Sequence, residues 1–349
     1  MNNINRQVSR RQFLQGTAGL GVSLAGLALL EGCSPQPIAP TAEPQLETTR
    51  LKLGQFPSLC WSPTYVAEDL LKAEGFTDVQ YTKTTASLVA PLLASGEIDI
   101  SMHFTGAILT RLDAGDPFVI LAGIHQGCFE LFGTERIRTI SDLKGKTVAI
   151  TEFGSSEHVF LSSMMAYVGL NPNKDINWVT IPGDEAKKQL ADGKIDALLG
   201  FPPTPQELRA KKVGHVVVNS MMDKPWSQYF CCVLVANREF LRKNPIATKR
   251  VLRAFLKASD VVAREPERVA RLLVDRGFTP NYDYALQTMK EMAEAGAYGV
   301  WREYDPEDTV RFYALRLNEI GMIKSSPNDI IARSTDWRFL NELKKELKT

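Results

Sequence analysis

The residues best suited to chemistry are a Gly154-Ser155-Ser156 run, two histidines (His103 and His158) and a scatter of aromatic side chains. Glycine permits close backbone approach, and serines that open a helix present hydroxyls and free N–H groups to an acceptor. Plain helix capping uses the same atoms, so that reading stands beside the binding one. Histidine at either position is equally a binding group or a satisfied structural residue. Phe56, Trp61, Phe104, Phe153, Phe201, Trp226 and Tyr229 offer flat faces to a planar ligand. In a sheet covered on both faces most aromatics are core, so roughly three or four of them should touch it. Covalent catalysis lacks its parts: there is no Gly-x-Ser-x-Gly elbow, no zinc-type Cys/His spacing and no Walker loop. The sequence therefore points to no catalytic residue, no cofactor and no metal.

A repeat sets these residues out. Leu93-Ala94-Ser95-Gly96-Glu97-Ile98-Asp99 recurs as Leu190-Ala191-Asp192-Gly193-Lys194-Ile195-Asp196, a shift of 97 residues from Gly96 to Gly193. The same shift carries Phe104 to Phe201, and Asp78-Val79-Gln80-Tyr81 to Asp175-Ile176-Asn177-Trp178. It also carries Leu53-Gly54-Gln55-Phe56-Pro57-Ser58 to Ile150-Thr151-Glu152-Phe153-Gly154-Ser155. Strands are predicted over 51–54, 79–82, 98–102 and 118–122 in the first copy, and over 147–150, 177–180, 197–199 and 216–218 in the second. Helices fall between them: Ser62-Pro63 supplies a cap and a first-turn proline, and Gly96 and Gly115 end helices over 86–94 and 107–114. A further strand over 230–236 precedes helices in which Val251, Ala254, Phe255 and Ala258 recur at helical spacing. The chain should thus cross to a second unit and return.

The expected fold is α/β and two-lobed, each lobe a mostly parallel sheet flanked by helices, with a ligand cleft between the lobes. Residues 51–125 and 230–349 would form lobe 1 and 126–229 lobe 2, with hinge segments near 124–129 and 223–229. The net charge of +1 creates no field that would recruit nucleic acid or acidic lipid. Cys60, Cys128, Cys231 and Cys232 read as small core residues, because adjacent cysteines rarely pair and 231–232 lies in an apolar run.

The first fifty residues carry an address. Arg10 and Arg11, followed by Phe13-Leu14 and a glycine-interrupted apolar run over 16–30, look like a twin-arginine export signal. That run is short for a membrane span. Leu30-Glu31-Gly32-Cys33 resembles a lipoprotein box, with Cys33 as the acylated residue and Glu31 as a departure from the usual small side chain. Residues 34–49 hold four prolines and little to bury, so residues 33–50 are expected to be a flexible, lipid-attached linker.

Trp61-Ser62-Pro63-Thr64-Tyr65-Val66-Ala67, Asp142-Leu143-Lys144-Gly145-Lys146-Thr147-Val148 and Gly154-Ser155-Ser156-Glu157-His158 carry a family resemblance. With the strand over 233–237 and the helix over 245–258, they resemble solute-binding proteins of ABC importers for nitrate, sulfonates, taurine and thiamin pyrimidine precursors. The resemblance spans residues 51–340 or so. It implies the type II periplasmic-binding fold and a monomeric, extracytoplasmic protein without enzymatic activity. Its partners would be a small-molecule ligand and the importer's permease and ATPase subunits. An enzyme of the same fold, related to thiamin pyrimidine precursor synthesis, is the alternative; export away from cytosolic metabolites stands against it.

In open parallel sheets ligands lie beyond the carboxyl ends of the strands. The ligand-binding set expected on that rule is Phe56, Trp61, His103, Thr105, Glu152, Gly154, Ser155, Ser156, His158, Phe201, Trp226 and Tyr229. Among strand-end residues Lys83 is the one strong cation, beside Glu152, Glu157 and Asp184. A bare nitrate or sulfonate calls for a fixed cation or several donors. The expectation therefore tilts from sulfonate-like compounds towards a small organic or heterocyclic ligand with its own N–H groups.

Overall fold

The computed structural model describes residues 44–347; Arg10, Arg11 and Cys33, and with them the leader and lipid-attachment readings, lie outside the described residues. In the first copy, short apolar runs alternate with amphipathic ones: β1 (Arg50–Gln55), α1 (Ser62–Ala73), β2 (Asp78–Lys83), α2 (Val89–Ser95), β3 (Ile100–Phe104), α3 (Thr105–Asp113) and β4 (Phe118–Gln126). Gly96 ends α2 in the left-handed region (φ 76°), where a side chain would be strained. The second copy gives β5 (Glu130–Gly133), β6 (Thr147–Ile150), α4 (Ser156–Tyr167), β7 (Asn177–Thr180), α5 (Gly183–Ala191), β8 (Ala197–Gly200), α6 (Thr204–Ala210) and β9 (His215–Asn219). The return strand β10 (Phe230–Asn237) leads into α7 (Arg238–Lys243), α8 (Pro245–Arg264), α9 (Pro266–Asp275), α10 (Tyr282–Glu294), α11 (Pro306–Glu319), α12 (Pro327–Ser334) and α13 (Arg338–Glu346).

Two mixed sheets result, ordered β2-β1-β3-β10-β4 and β7-β6-β8-β5-β9. β10 runs antiparallel between β3 and β4, and β5 antiparallel between β8 and β9, while the remaining strands of each sheet run parallel. β10 enters its sheet only after the whole second copy, whereas β5 is the first strand laid down in the second sheet, directly after the chain leaves β4. The strands predicted from the sequence do not include β5. Glu130-Leu131-Phe132-Gly133 is four residues, all buried, with no alternation to betray it.

One element of the repeat needs correcting. Asp99 accepts the Lys52 N–H at 2.8 Å, and Asp196 accepts the Thr147 N–H at 3.0 Å, which makes Lys52 and Thr147 equivalent, 95 residues apart. The pairing of Leu53 with Ile100 and of Val148 with Ala197 agrees. The first strand is therefore offset by two residues from the shift of 97 that relates the others. An even offset leaves inward side chains inward, which is why the sequence match looked continuous.

The expected linker also ends sooner than residue 50. The Glu47 carboxylate accepts the N–H groups of Ile246 and Ala247, both at 2.9 Å, capping α8 from outside, and Arg250 donates to the Pro44 carbonyl at 2.8 Å. Free N–H groups at a helix start attract a carboxylate, and this one docks the segment onto the body.

α8 packs on α1 and β4, so the C-terminal helices cover the first sheet. α11 packs on both α3 and α4, and a single hydrophobic core continues through this region from one sheet to the other. A smaller cluster of Phe132, Ala149, Ala186, Leu190, Ile195, Leu198 and Leu208 belongs to the second sheet alone. Among the described residues no helix is long and apolar enough to cross a membrane.

Candidate functional site

The carboxyl ends of both sheets meet in a narrow cleft. After β1 the chain presents Phe56, Ser58, Cys60 and Trp61; β3 ends on His103 and Phe104; the crossover to β5 adds Cys128 and Phe129. From the second lobe come Ser156, at the start of α4, and Phe201, just past β8. The cavity these residues line is about 30 Å³, room for about two water molecules. Aromatic rings fill the rest. Phe56 lies 5.3 Å from Trp61 and 5.7 Å from Phe201, and Phe129 lies 5.7 Å from Phe201, centroid to centroid. The Leu59 N–H and the Ser58 hydroxyl both reach the Pro202 carbonyl at 3.4 Å. The lobes are in contact, so a ligand must part these rings to enter.

Phe201 also borders a second cavity of about 140 Å³, lined by Ile150, Thr151, Glu157, Gly183, Gly200 and Thr204 at the strand ends of the second sheet. Glu157 is 8% exposed and its Oε2 has no hydrogen-bond partner. Burial pushes its carboxyl above the usual range. No lysine or arginine lines either cavity. Lys83 is exposed, and Asp184 stands in solvent paired with Lys187 at 2.8 Å.

Of the twelve residues expected to bind ligand, Phe56, Trp61, His103, Ser156 and Phe201 line the first cavity, and Phe104, named as a flat face, joins them. The other seven lie outside both cavities, each for a visible reason. The Thr105 hydroxyl is spent on the Phe230 and Cys231 carbonyls, both at 3.0 Å. The Ser155 hydroxyl accepts the His158 N–H at 3.3 Å, an N-cap. His158 accepts the Gly154 N–H on Nδ1 at 3.1 Å, and its ring meets Phe153 and Trp178 edge-on. Burial lowers that imidazole to about 4. Glu152 and Gly154 belong to the exposed turn between β6 and α4. Trp226 packs against Phe160, Tyr167 and Phe312, and Tyr229 stacks on Phe312 at 3.9 Å.

The sequence reading missed Phe129, Cys60, Cys128 and Cys232 as cleft residues. The three cysteines come from distant points of the chain and converge only where β4, β10 and the turn before α1 meet. Their thiols perturb one another: hydrogen bonds from Cys128 and then Cys232 hold Cys60 well below the ordinary thiol value, while burial pushes Cys128 and Cys232 well above it.

Two facing α/β lobes joined by two crossovers, each sheet carrying one reversed strand, define the type II periplasmic-binding class. The chain belongs to the NMT1-like family, whose model matches residues 44–274. It is similar to the 4-amino-5-hydroxymethyl-2-methylpyrimidine phosphate synthase THI12 of Saccharomyces cerevisiae, with 27% identity over 62% of this chain and 69% of the yeast protein. In structure it resembles the periplasmic nitrate-binding protein NrtA of Synechocystis, with a TM-score of 0.71 and 16% identity over 87% of this chain and 90% of that one. It also resembles the alkanesulfonate-binding protein SsuA of Xanthomonas axonopodis bound to MOPS, with a TM-score of 0.64 and 16% identity over 84% of this chain and 100% of that one.

Proposed function

We propose that this protein is the extracytoplasmic solute-binding component of an ABC importer and is not an enzyme. The observation that carries the reading is the cleft: residues at the strand ends of two lobes close on one space, so both sets of contacts can be made only with the lobes together. Lobe 1 is taken as 51–125 with 230–349 and lobe 2 as 126–229. The relatives named for nitrate and alkanesulfonate binding support a transport role. The lining supports a different ligand class. Neither the cleft nor the second cavity beside it, which shares Phe201, holds a cation, and the second holds a buried Glu157 with a free oxygen; this suits a small organic molecule carrying N–H donors and disfavours a bare oxyanion. Phe56, Trp61 and Phe201 would stack on a planar ring. The protein would act as a monomer, exported through Arg10 and Arg11 and held at the membrane by a lipid on Cys33, handing its ligand to permease and ATPase subunits. The likeness to the yeast synthase supports a second reading, an enzyme related to synthesis of the thiamin pyrimidine precursor.

Titration calorimetry with nitrate, a short alkanesulfonate and a 4-aminopyrimidine separates these. The aminopyrimidine should bind, with affinity lowered in both Trp61→Ala and Glu157→Gln. Binding of the oxyanions alone would overturn the ligand class. A new pyrimidine product, found by mass spectrometry after the protein is incubated with cell extract and no added pyrimidine, would establish the enzyme instead. Membrane fractionation of Cys33→Ala tests the anchor, which is wrong if the variant still sediments with membranes; normal export of an Arg10→Lys/Arg11→Lys variant would rule out the twin-arginine route.

A further inference from the structure

Five metal-ligand side chains converge beneath the cleft. Cys60 comes from the turn ahead of α1, His125 from the end of β4, Cys128 from the first crossover, and Cys231 and Cys232 from the start of β10. None is more than 3% exposed. The donor atoms of Cys60, His125 and Cys128 all lie within 4.8 Å of one another, and the Cys128 and Cys231 sulfurs are 3.3 Å apart. Around a tetrahedral ion with bonds of about 2.0–2.3 Å, ligand atoms stand roughly 3.3–3.8 Å from each other. Side-chain adjustments of about 1 Å would close the set.

Two details go beyond proximity. The His125 Nδ1 is 2.6 Å from the Gln126 carbonyl oxygen, an acceptor, so the ring proton sits on Nδ1 and Nε2 carries a lone pair. That Nε2 is fully buried and has no hydrogen-bond partner. An imidazole oriented by a carbonyl on one nitrogen and left open on the other is how ligating histidines are held. The second detail concerns β10. Neighbouring strand residues face opposite ways, so Cys231 and Cys232 should not both reach one cluster. The β4–β10 pairing slips on either side of Cys232, leaving Cys231 unpaired, and this bulge turns both sulfurs to the same region.

We propose that Cys60, His125 and Cys128, with Cys231 as the fourth donor, form a binding site for a soft d10 cation, copper(I) or zinc(II), at the floor of the cleft. Thiolate and imidazole together suit these ions, and each thiol that ligates releases its proton to solvent. The ion would tie the turn before α1 and both halves of the hinge to one point. Cys60, Cys128 and Cys232 border the cavity, so the ion would lie next to whatever the cleft holds.

The test is made on protein reduced and stripped of metal without oxygen, then loaded separately with zinc(II), copper(I) and cobalt(II). About one equivalent of zinc or copper should survive gel filtration, and cobalt should give the intense near-ultraviolet band of a thiolate ligand. Cys128→Ser and His125→Gln, checked for native circular dichroism, should each weaken retention by about tenfold or more. Whichever of zinc and copper is held more tightly against a calibrated chelator identifies the ion. If Cys128→Ser does not fold, His125→Gln and the wild-type cobalt spectrum decide alone. Reduced wild-type protein that retains no ion, or retention equal in the wild type and both variants, overturns the site. So does a Cys128–Cys231 disulfide that must be cut before any ion enters, since the pair would then be a covalent staple. Ion stoichiometry does not depend on aminopyrimidine binding, so either reading can fail without the other.

Discussion

His158 opens onto neither cavity, yet it should dominate one part of the pH response. Its Nδ1 takes the Gly154 N–H, its ring lies edge-on to Phe153 and Trp178, and burial lowers its pKa from 6.5 to about 4. Between those values the unfolded chain binds the proton that the folded one refuses, so stability rises with pH. The contribution is complete above pH 6.5 and is lost as pH falls through about 4, an effect of up to about 3 kcal/mol. Urea unfolding at pH 7 and pH 5 should show a larger drop for the wild type than for His158→Gln, whose amide can still accept the Gly154 N–H. Equal drops would mean that the ring titrates normally. At this scale the strand-end rule brought Phe56, Trp61, His103 and Phe201 together from sequence alone, because the carboxyl end of a strand is a position that the pattern marks. It could not tell a serine that caps a helix from one that faces the cleft. Ser155 and Ser156 are neighbours, and only the direction of α4 separates them.

Elements carry the contacts that hold the lobes together. Arg209 on α6 pairs with Glu130 on β5, and across the lobes with Glu291 on α10 at 2.6 Å; Gln206 adds a bond to Glu291 at 2.9 Å. The Glu130 side chain is 1% exposed, whereas those of Arg209 and Glu291 are 28% and 29% exposed. Arg209→Met would strand a buried carboxylate and should lower stability by about 3 kcal/mol. Glu291→Gln leaves that pair intact and should cost about 1 kcal/mol or less. It should nonetheless raise the radius of gyration of the ligand-free protein in small-angle scattering, because α10 would lose its charged hold on α6. An unchanged radius would show that the ring contacts alone keep the cleft shut. On α8, Glu47→Ala removes a cap shared by two N–H groups and should reduce stability by about 1 kcal/mol in urea titration. Neither contact was legible in the sequence. Repeats and periodicity report on faces and on neighbours along the chain, while Glu47 lies some 200 residues from the helix it caps.

The whole molecule is two sheets whose parallel strands the repeat marks, each completed by a reversed strand and joined in a way the repeat does not describe. Apolar spacing in the C-terminal helices shows that a face is buried, but not that α11 spans α3 and α4 and makes the core continuous. The join itself is tight. Phe129 and Ser220 exchange two hydrogen bonds at 2.9 Å, Phe129 N–H to Ser220 Oγ and Ser220 N–H to Phe129 carbonyl. Gly127 has no room for a methyl: a Cβ there would stand 2.1 Å from the Ser220 carbonyl oxygen and 2.3 Å from its carbon. Those are backbone atoms of the other crossover, so relief requires the two crossovers to separate. Phe104, Phe129, Phe160 and Tyr313 meanwhile pack from one lobe into the other, edge-to-face except for the tilted Phe104–Phe160 pair. A protein so joined should unfold in one cooperative step, with tryptophan fluorescence and far-ultraviolet circular dichroism tracing the same urea transition. Gly127→Ala should move that transition to lower urea by the equivalent of about 1–3 kcal/mol without splitting it. Two separated transitions in the wild type would mean that the lobes fold independently. A Gly127→Ala protein as stable as the wild type would mean that the crossovers can slide apart freely, and the hinge would then have to lie elsewhere.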